Sequence, residues 1–131
     1  MVETIMKAIK AMRIRFNFGD SWTSPYLHIL LSQENEVIVA RCLDFTVSSH
    51  GNNESDALNS LTEAVKECII SAAENDALDS IYDPSHSKYW RMFNELEAKQ
   101  VNARLTKSLR KSIPSIIADK SAVLSSEVSH A

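Results

Sequence analysis

The clearest pattern of apolar and polar residues lies between residues 26 and 51. Residues 26–33 and 37–40 are rich in large apolar and β-branched side chains, and they flank the polar tip 33–36. Two such runs around a short polar tip predict a β-hairpin, and Asn35 in the tip tolerates the left-handed turn conformation. Residues 46–50 predict a third short strand, which Gly51 ends.

A second pattern, with the spacing of an α-helix, follows at once. The apolar positions recur every three or four residues at Ala57, Leu58, Leu61, Ala64, Val65, Cys68, Ile69 and Ala72. Asn53 is a suitable N-cap, and Asp56 stands three residues later, where it can reach back toward the cap. A helix with one apolar face needs a partner surface, so we expect it to cover the sheet.

The flanking segments give weaker patterns. Residues 5–12 have a short helical spacing, whereas residues 13–18 alternate and predict an additional N-terminal strand. Asp83 and Pro84 predict the start of a short helix, with Asp as the cap and Pro at the first position. An aromatic-rich stripe on that helix predicts core packing, a clasp across the sheet edge or, alternatively, an anchor for a protein partner. Its members are Tyr89, Trp90, Met92, Phe93 and Leu96, and the candidate partner-binding residues among them are Tyr89, Trp90, Phe93 and Leu96.

The last 33 residues are basic and serine-rich. Residues 100–106 alternate as a strand would, residues 107–113 could form a basic turn of helix, and Pro114 should interrupt it. Residues 115–128 could be disordered or become ordered only on a partner. We therefore divide the chain into a domain at 1–98 and a tail at 99–131.

Charge is distributed unevenly along the chain. Residues 1–18 carry a net charge of +3, and residues 99–131 carry +4. Residues 19–98 hold 4 basic and 14 acidic side chains, a net of −10. Basic ends could contact nucleic acid or an acidic protein face, or could simply keep the chain soluble. No apolar run approaches the length of a membrane span and no signal peptide is visible, so we expect a cytoplasmic protein with no membrane contact and free thiols at Cys42 and Cys68.

No pattern of catalytic or metal-binding residues emerges. None of the four histidines stands in a Cys/His or His/carboxylate spacing typical of metal sites, and two glycines cannot build a phosphate loop in the usual way. A small enzyme would need Cys42, Asp44 and His50 to converge in one pocket. We expect no catalytic residues, no metal and no cofactor.

Residues 37–69 resemble the HicB-like antitoxin family. The resemblance rests on a hairpin and strand leading to a turn at Gly51, followed by a helix whose matching positions are Ala57, Leu58, Leu61, Glu63 and Ala64. The segment from Asp83 to Phe93 is similar to the downstream part of stand-alone bacterial members. The resemblance covers roughly residues 26–97.

The resemblance implies an α+β fold: a small antiparallel β-β-β-α unit, a partial RNase H-like sheet without its catalytic carboxylates. It also implies a dimer or higher homo-oligomer that acts by protein binding, many members neutralising a small RNA-cleaving toxin, HicA.

Many members also carry a C-terminal DNA-binding module. Residues 101–106 and the helix after them resemble the ribbon and first helix of a ribbon-helix-helix, which would place Asn102, Arg104 and Thr106 in a major groove, with Lys107, Arg110 and Lys111 beside them. The rival hypotheses are a nucleic-acid binder that uses these residues with Arg13 and Arg15, and the small enzyme.

Overall fold

The computed structural model describes residues 5–119 and shows an α+β protein. The chain divides into two compact units, Met1–Glu97 and Ala98–Ala131. The strands are β1 Met6–Ile14, β2 Asn17–Phe18, β3 Trp22–Thr23, β4 Leu27–Glu34, β5 Val37–Cys42 and β6 Val47–Gly51. The helices are α1 Glu54–Glu74 and α2 Ser87–Ala118, with a short 3₁₀ turn at Leu78–Ser80 between them.

The main sheet is antiparallel throughout, with the strand order β1-β4-β5-β6. The hairpin of β4 and β5 confirms the prediction, and Asn35 at its tip has a φ of 59°, the left-handed conformation expected there. β6 confirms the predicted third strand, although Gly51 forms its last residue rather than the position after it. The separate β2–β3 ribbon occupies a region that the sequence predicted to be part strand and part loop.

Helix α1 packs on one face of this sheet, as its apolar stripe predicted. Buried Ala57, Leu61 and Val65 meet Ile29 of β4 and Cys42 of β5 in a common core. Alternate residues of a strand point to opposite faces, so the odd-numbered apolar residues of β4 supply this core. Phe16 is buried here, and Ile14 and Phe18 pack against it, so these three residues share a side as their alternation predicted.

The connection from β6 to α1 is very tight. The Asn53 side chain accepts a hydrogen bond from the Asp56 backbone N–H at 2.9 Å, which confirms the predicted N-cap. Gly51 lies so close to the first turn of α1 that a Cβ atom there would be 2.5 Å from the Ala57 nitrogen. Glycine is therefore needed at residue 51 because backbone approaches backbone.

The first turns of α2 cover part of the other sheet face. Phe93 is fully buried against Ala11, Leu30 and Leu43. The predicted start at Asp83 and Pro84 is wrong, because the helix begins at Ser87. Instead, His86 stands directly before the helix. The carbonyl of His86 accepts a hydrogen bond from the Tyr89 N–H at 3.0 Å, and the ring Nδ1 of His86 lies 3.1 Å from the backbone nitrogen of Lys88.

The N-terminal strand differs from both sequence predictions. β1 covers Met6–Ile14, where a short helical spacing and then a strand at 13–18 were expected. The pairing with β4 shifts between Ala8 and Lys10, which leaves Ile9 without a partner. An extra residue in a strand reverses which positions face the core, so Met6 and Ala8 share a face with Ala11. The bulge thus hides the period of two.

The predicted short C-terminal helix is also wrong, since α2 has 32 residues. Residues 101–106 are helical, so the ribbon of a ribbon-helix-helix is absent from them. Pro114 lies inside the helix and does not end it, although it cannot donate a hydrogen bond to the Arg110 carbonyl. Alternation over seven residues was a weaker indicator than the helix-favouring Ala, Arg, Leu and Lys of this segment. Residues 120–131 of the predicted tail lie outside the described residues.

The close approach at Gly51 yields the first prediction. Gly51→Ala should lower the free energy of unfolding by about 1–3 kcal/mol, because the new methyl group must displace the start of α1. Urea denaturation followed by circular dichroism measures the change in stability. Ser48→Ala, at an exposed position of the same strand, serves as the control and should stay within about 0.5 kcal/mol. Equal stability of the two variants would contradict the close approach.

Candidate functional site

A buried aspartate joins three segments beside the start of α2. Asp44 accepts the His28 backbone N–H at 2.8 Å, and its Oδ2 lies 3.1 Å from His28 Nδ1. The Asp44 carbonyl accepts the Asp83 N–H, also at 2.8 Å. The His28 ring makes edge contacts with Trp90 and Phe93, at centroid distances of 4.9 and 5.3 Å. Asp44 therefore connects β4, the bend after β5 and the approach to α2.

This pair was missed from the sequence. The only signal was an acidic residue between Leu43 and Phe45 in an otherwise apolar run. A carboxylate that is 8% exposed must be hydrogen-bonded, and its partner comes from 16 residues away along the chain. No local pattern identifies such a partner.

An ion pair lies further along the same sheet face. Arg41 contacts Glu34 at 2.7 Å and donates to the Ser32 hydroxyl, while its guanidinium lies 4.6 Å from the centre of the Tyr89 ring. The Arg41 hydrogen bond is the main cause that lowers the pKa of Glu34 from its ordinary value, against the opposing effect of burial. The pair therefore fixes charge on the sheet beside the start of α2.

The residues proposed for a small enzyme do not converge. Cys42 is buried in the core beneath α1, whereas His50 lines a groove with Val39 and Arg41 on the opposite sheet face. Burial raises the pKa of the Cys42 thiol to about 12, so the nucleophilic thiolate is scarce at neutral pH. Both cysteines are free, as expected, and within residues 5–119 no three His, Cys, Asp or Glu side chains cluster as metal ligands.

The four candidate partner-binding residues of the aromatic stripe pack within the protein. Phe93 is fully buried in the second core, and Tyr89, Trp90 and Leu96 lie partly buried against it. This matches the core-packing alternative. A partner-binding role for the four stays a prediction, and Phe93 could take part only if the helix left the sheet.

The predicted nucleic-acid residues all lie on α2, in the second unit. A strand would have placed Asn102, Arg104 and Thr106 on one side, but a helix separates them. With 3.6 residues per turn, Arg104, Lys107 and Lys111 share a side, whereas Asn102 and Thr106 lie away from it. The other two cations of that hypothesis, Arg13 and Arg15, make contacts within the first unit. Arg13 donates a hydrogen bond to Glu97 at 2.8 Å, and the guanidinium of Arg15 lies 4.3 Å from the centre of the Tyr26 ring.

Sequence reasoning missed a row of exposed aliphatic side chains on the same helix. The row, named here the α2 stripe, recurs every four residues at Val101, Leu105, Leu109 and Ile113, and it ends with Ile116 and Ile117. Each of these side chains is between 41% and 70% exposed. The spacing was visible in the sequence but was obscured by the interpretation of 100–106 as a strand.

Comparison of the chain with protein-family models, curated protein sequences and solved structures gave no match. Within the described residues, neither helix is both long and apolar enough to cross a membrane. The architecture itself defines the class: an antiparallel α+β protein with a helix on one sheet face and the start of a longer helix on the other.

The Arg41–Glu34 pair gives a prediction about stability. Arg41→Met should lower the free energy of unfolding at pH 7 by about 1–3 kcal/mol, because it leaves a largely buried carboxylate without its partner. Lys10→Met is the matched control, since the Lys10–Glu54 side chains are 47% and 44% exposed and such a pair contributes less than about 1 kcal/mol.

The same pair predicts a dependence on pH. Because the folded protein lowers the pKa of Glu34, the pair stabilises the fold above the ordinary value of 4.5 and loses this effect as the pH falls through the lowered value. Arg41→Met should therefore flatten the acid limb of a stability profile measured by urea denaturation. An unchanged acid limb would show that the pair does not stabilise the fold.

Proposed function

We propose that this chain is a non-enzymatic, HicB-like antitoxin-type protein that acts by protein binding. The α2 stripe carries the proposal, because six large aliphatic side chains, which together follow about half of the helix circumference, are exposed in the single chain. Exposed apolar surface of this extent is typical of interaction sites. The helix supplies the surface over about 24 Å, at 1.5 Å per residue from 101 to 117.

The sheet and α1 supply the second line of support. The hairpin, the third strand, Gly51 and the Asn53-capped helix stand in the order that the resemblance implies. A partial RNase H-like sheet of this kind would present binding surfaces rather than a catalytic site. We further propose that the protein is a homo-oligomer in the cytoplasm and that its partner is a small RNA-cleaving toxin of the HicA type.

The antitoxin proposal is tested by co-expression in a bacterial host. The neighbouring reading frame, if it encodes a short basic protein with a histidine, should arrest growth when expressed alone. Co-expression of this chain should restore growth, and the two proteins should elute as one complex. A catalytically inactive toxin variant with a substituted histidine controls for expression burden. Continued arrest with both proteins soluble would overturn the proposal.

A second candidate function is nucleic-acid binding, favoured by the charge of α2. Residues 99–118 contain five cations and no acidic residue. Arg104, Lys107 and Lys111 share a side of the helix, where they could follow a phosphate backbone.

This candidate predicts retention of DNA or RNA that falls steeply as salt rises. Replacing Arg104, Lys107 and Lys111 with Gln should reduce the slope of log affinity against log salt by about 3, at roughly 0.9 for each phosphate that a cation no longer neutralises. Lys7→Gln, at an exposed cation in the first unit, should leave the slope unchanged. Binding that is absent or independent of salt excludes the candidate.

A further inference from the structure

The first unit contains an open apolar cleft that no proposed role explains. The cleft has a volume of about 780 Å³ and lies between the β2–β3 ribbon, α1 and the 3₁₀ turn. Phe18 and Trp22 form one wall, with their rings stacked at a centroid distance of 6.0 Å. Ile70 and Leu78 line it from the other elements, and together with Trp22 they are 43% to 52% exposed.

The edge of this cleft along α1 is acidic. Glu63 and Glu67 stand seven and three residues before Ile70, and Glu74 stands four residues after it. All three glutamates therefore share the side of the helix on which Ile70 lies. Among the cleft-lining side chains the charges of Glu63 and Lys66 balance. The acidic character of the edge therefore comes from Glu67 and Glu74, which stand on the same side of α1 next to the lining residues. An apolar occupant with basic flanks therefore suits this edge better than a neutral or acidic one.

The α2 stripe has the complementary properties. Its aliphatic side chains are exposed, and the residues that flank it include Arg104 and Arg110 but no acidic residue between 99 and 118. Two such stripes packed against each other would bring like charges together, at a cost in free energy. The apolar area thus requires an apolar partner, and the charge favours an acidic surface over a second basic helix.

We infer that the α2 stripe of one copy of this chain binds in the apolar cleft of a second copy. In a two-fold dimer each copy would give its helix and receive the other, so the contact would be made twice. The contact would bury apolar residues of both surfaces. The inference rests on the proposed homo-oligomer but does not depend on a toxin partner.

The inference is tested with two variants that each damage one surface. Ile70→Asp with Leu78→Asp alters the cleft, and Leu105→Asp with Leu109→Asp alters the stripe, all at exposed positions. Size-exclusion chromatography with light scattering should show a dimer for the unaltered chain. In each variant the dimer dissociation constant should rise by about 30-fold or more. Ile5→Asp, at a 78% exposed position outside both surfaces, should leave it unchanged.

Mixing the two variants distinguishes this contact from others. In an equimolar mixture, the cleft variant still has an intact stripe and the stripe variant still has an intact cleft. These two surfaces can bind each other, so a dimer should reappear that neither variant forms alone. Circular dichroism must show that both variants stay folded; if the cleft variant unfolds, Glu63→Lys with Glu67→Lys replaces it.

Charge reversal supplies an independent arm. Glu63→Lys with Glu67→Lys should weaken the dimer, and mixing it with Arg104→Glu and Arg110→Glu should strengthen association again. A monomeric unaltered chain would overturn the inference. So would a dimer abolished only by stripe variants, which would indicate pairing of two α2 helices. A dimer abolished only by cleft variants would overturn it as well. Restored growth beside a toxin with no dimer would refute this contact while preserving the antitoxin proposal.

Discussion

The burial of β4 on both faces is the constraint on which the first unit depends. Strand β4 has a neighbouring strand on each side. Ile29 and Leu31 point into the core beneath α1, whereas Leu30 points into the core beneath α2. Each of these three residues is fully buried. One strand thus joins two apolar layers, one beneath each helix.

The polar residues of β4 are consistent with this position. Ser32 is buried and donates its hydroxyl to Glu34, which Arg41 also contacts, and the backbone of His28 is bonded to Asp44. A central strand has no water to satisfy its polar groups, so each one needs a protein partner. These partners lie on the face that the start of α2 covers, where Arg41 contacts Tyr89 and His28 contacts Trp90.

Much of the first unit could be predicted from the sequence because its signals are local. The hairpin, the third strand and α1 have periodic apolar residues, and Asn35 and Asn53 mark a turn and a cap. β1 could not be read, because the extra residue Ile9 changes which side chains face inward. The bulge is determined by how β1 pairs with β4, and the sequence of β1 alone does not identify its pairing partner.

The candidate sites were harder to predict for a related reason. The Asp44–His28 pair and the cleft depend on segments that meet only in the folded chain. The α2 stripe was visible as a spacing of three and four residues, but Pro114 and a short alternation favoured the wrong interpretation. The spacing of apolar residues predicts a helix well, but it does not predict which side of that helix stays exposed in the folded chain.

The bulge in β1 has a consequence for how the chain can change in length. An edge strand can hold an unpaired residue at Ile9, since only one neighbour must adjust. An insertion or deletion inside β4 would exchange the side chains of its two cores and misplace both helices at once. The edge strand β1 can therefore gain or lose a residue, whereas the number of residues between Leu27 and Ser32 of β4 is fixed by packing on both sheet faces.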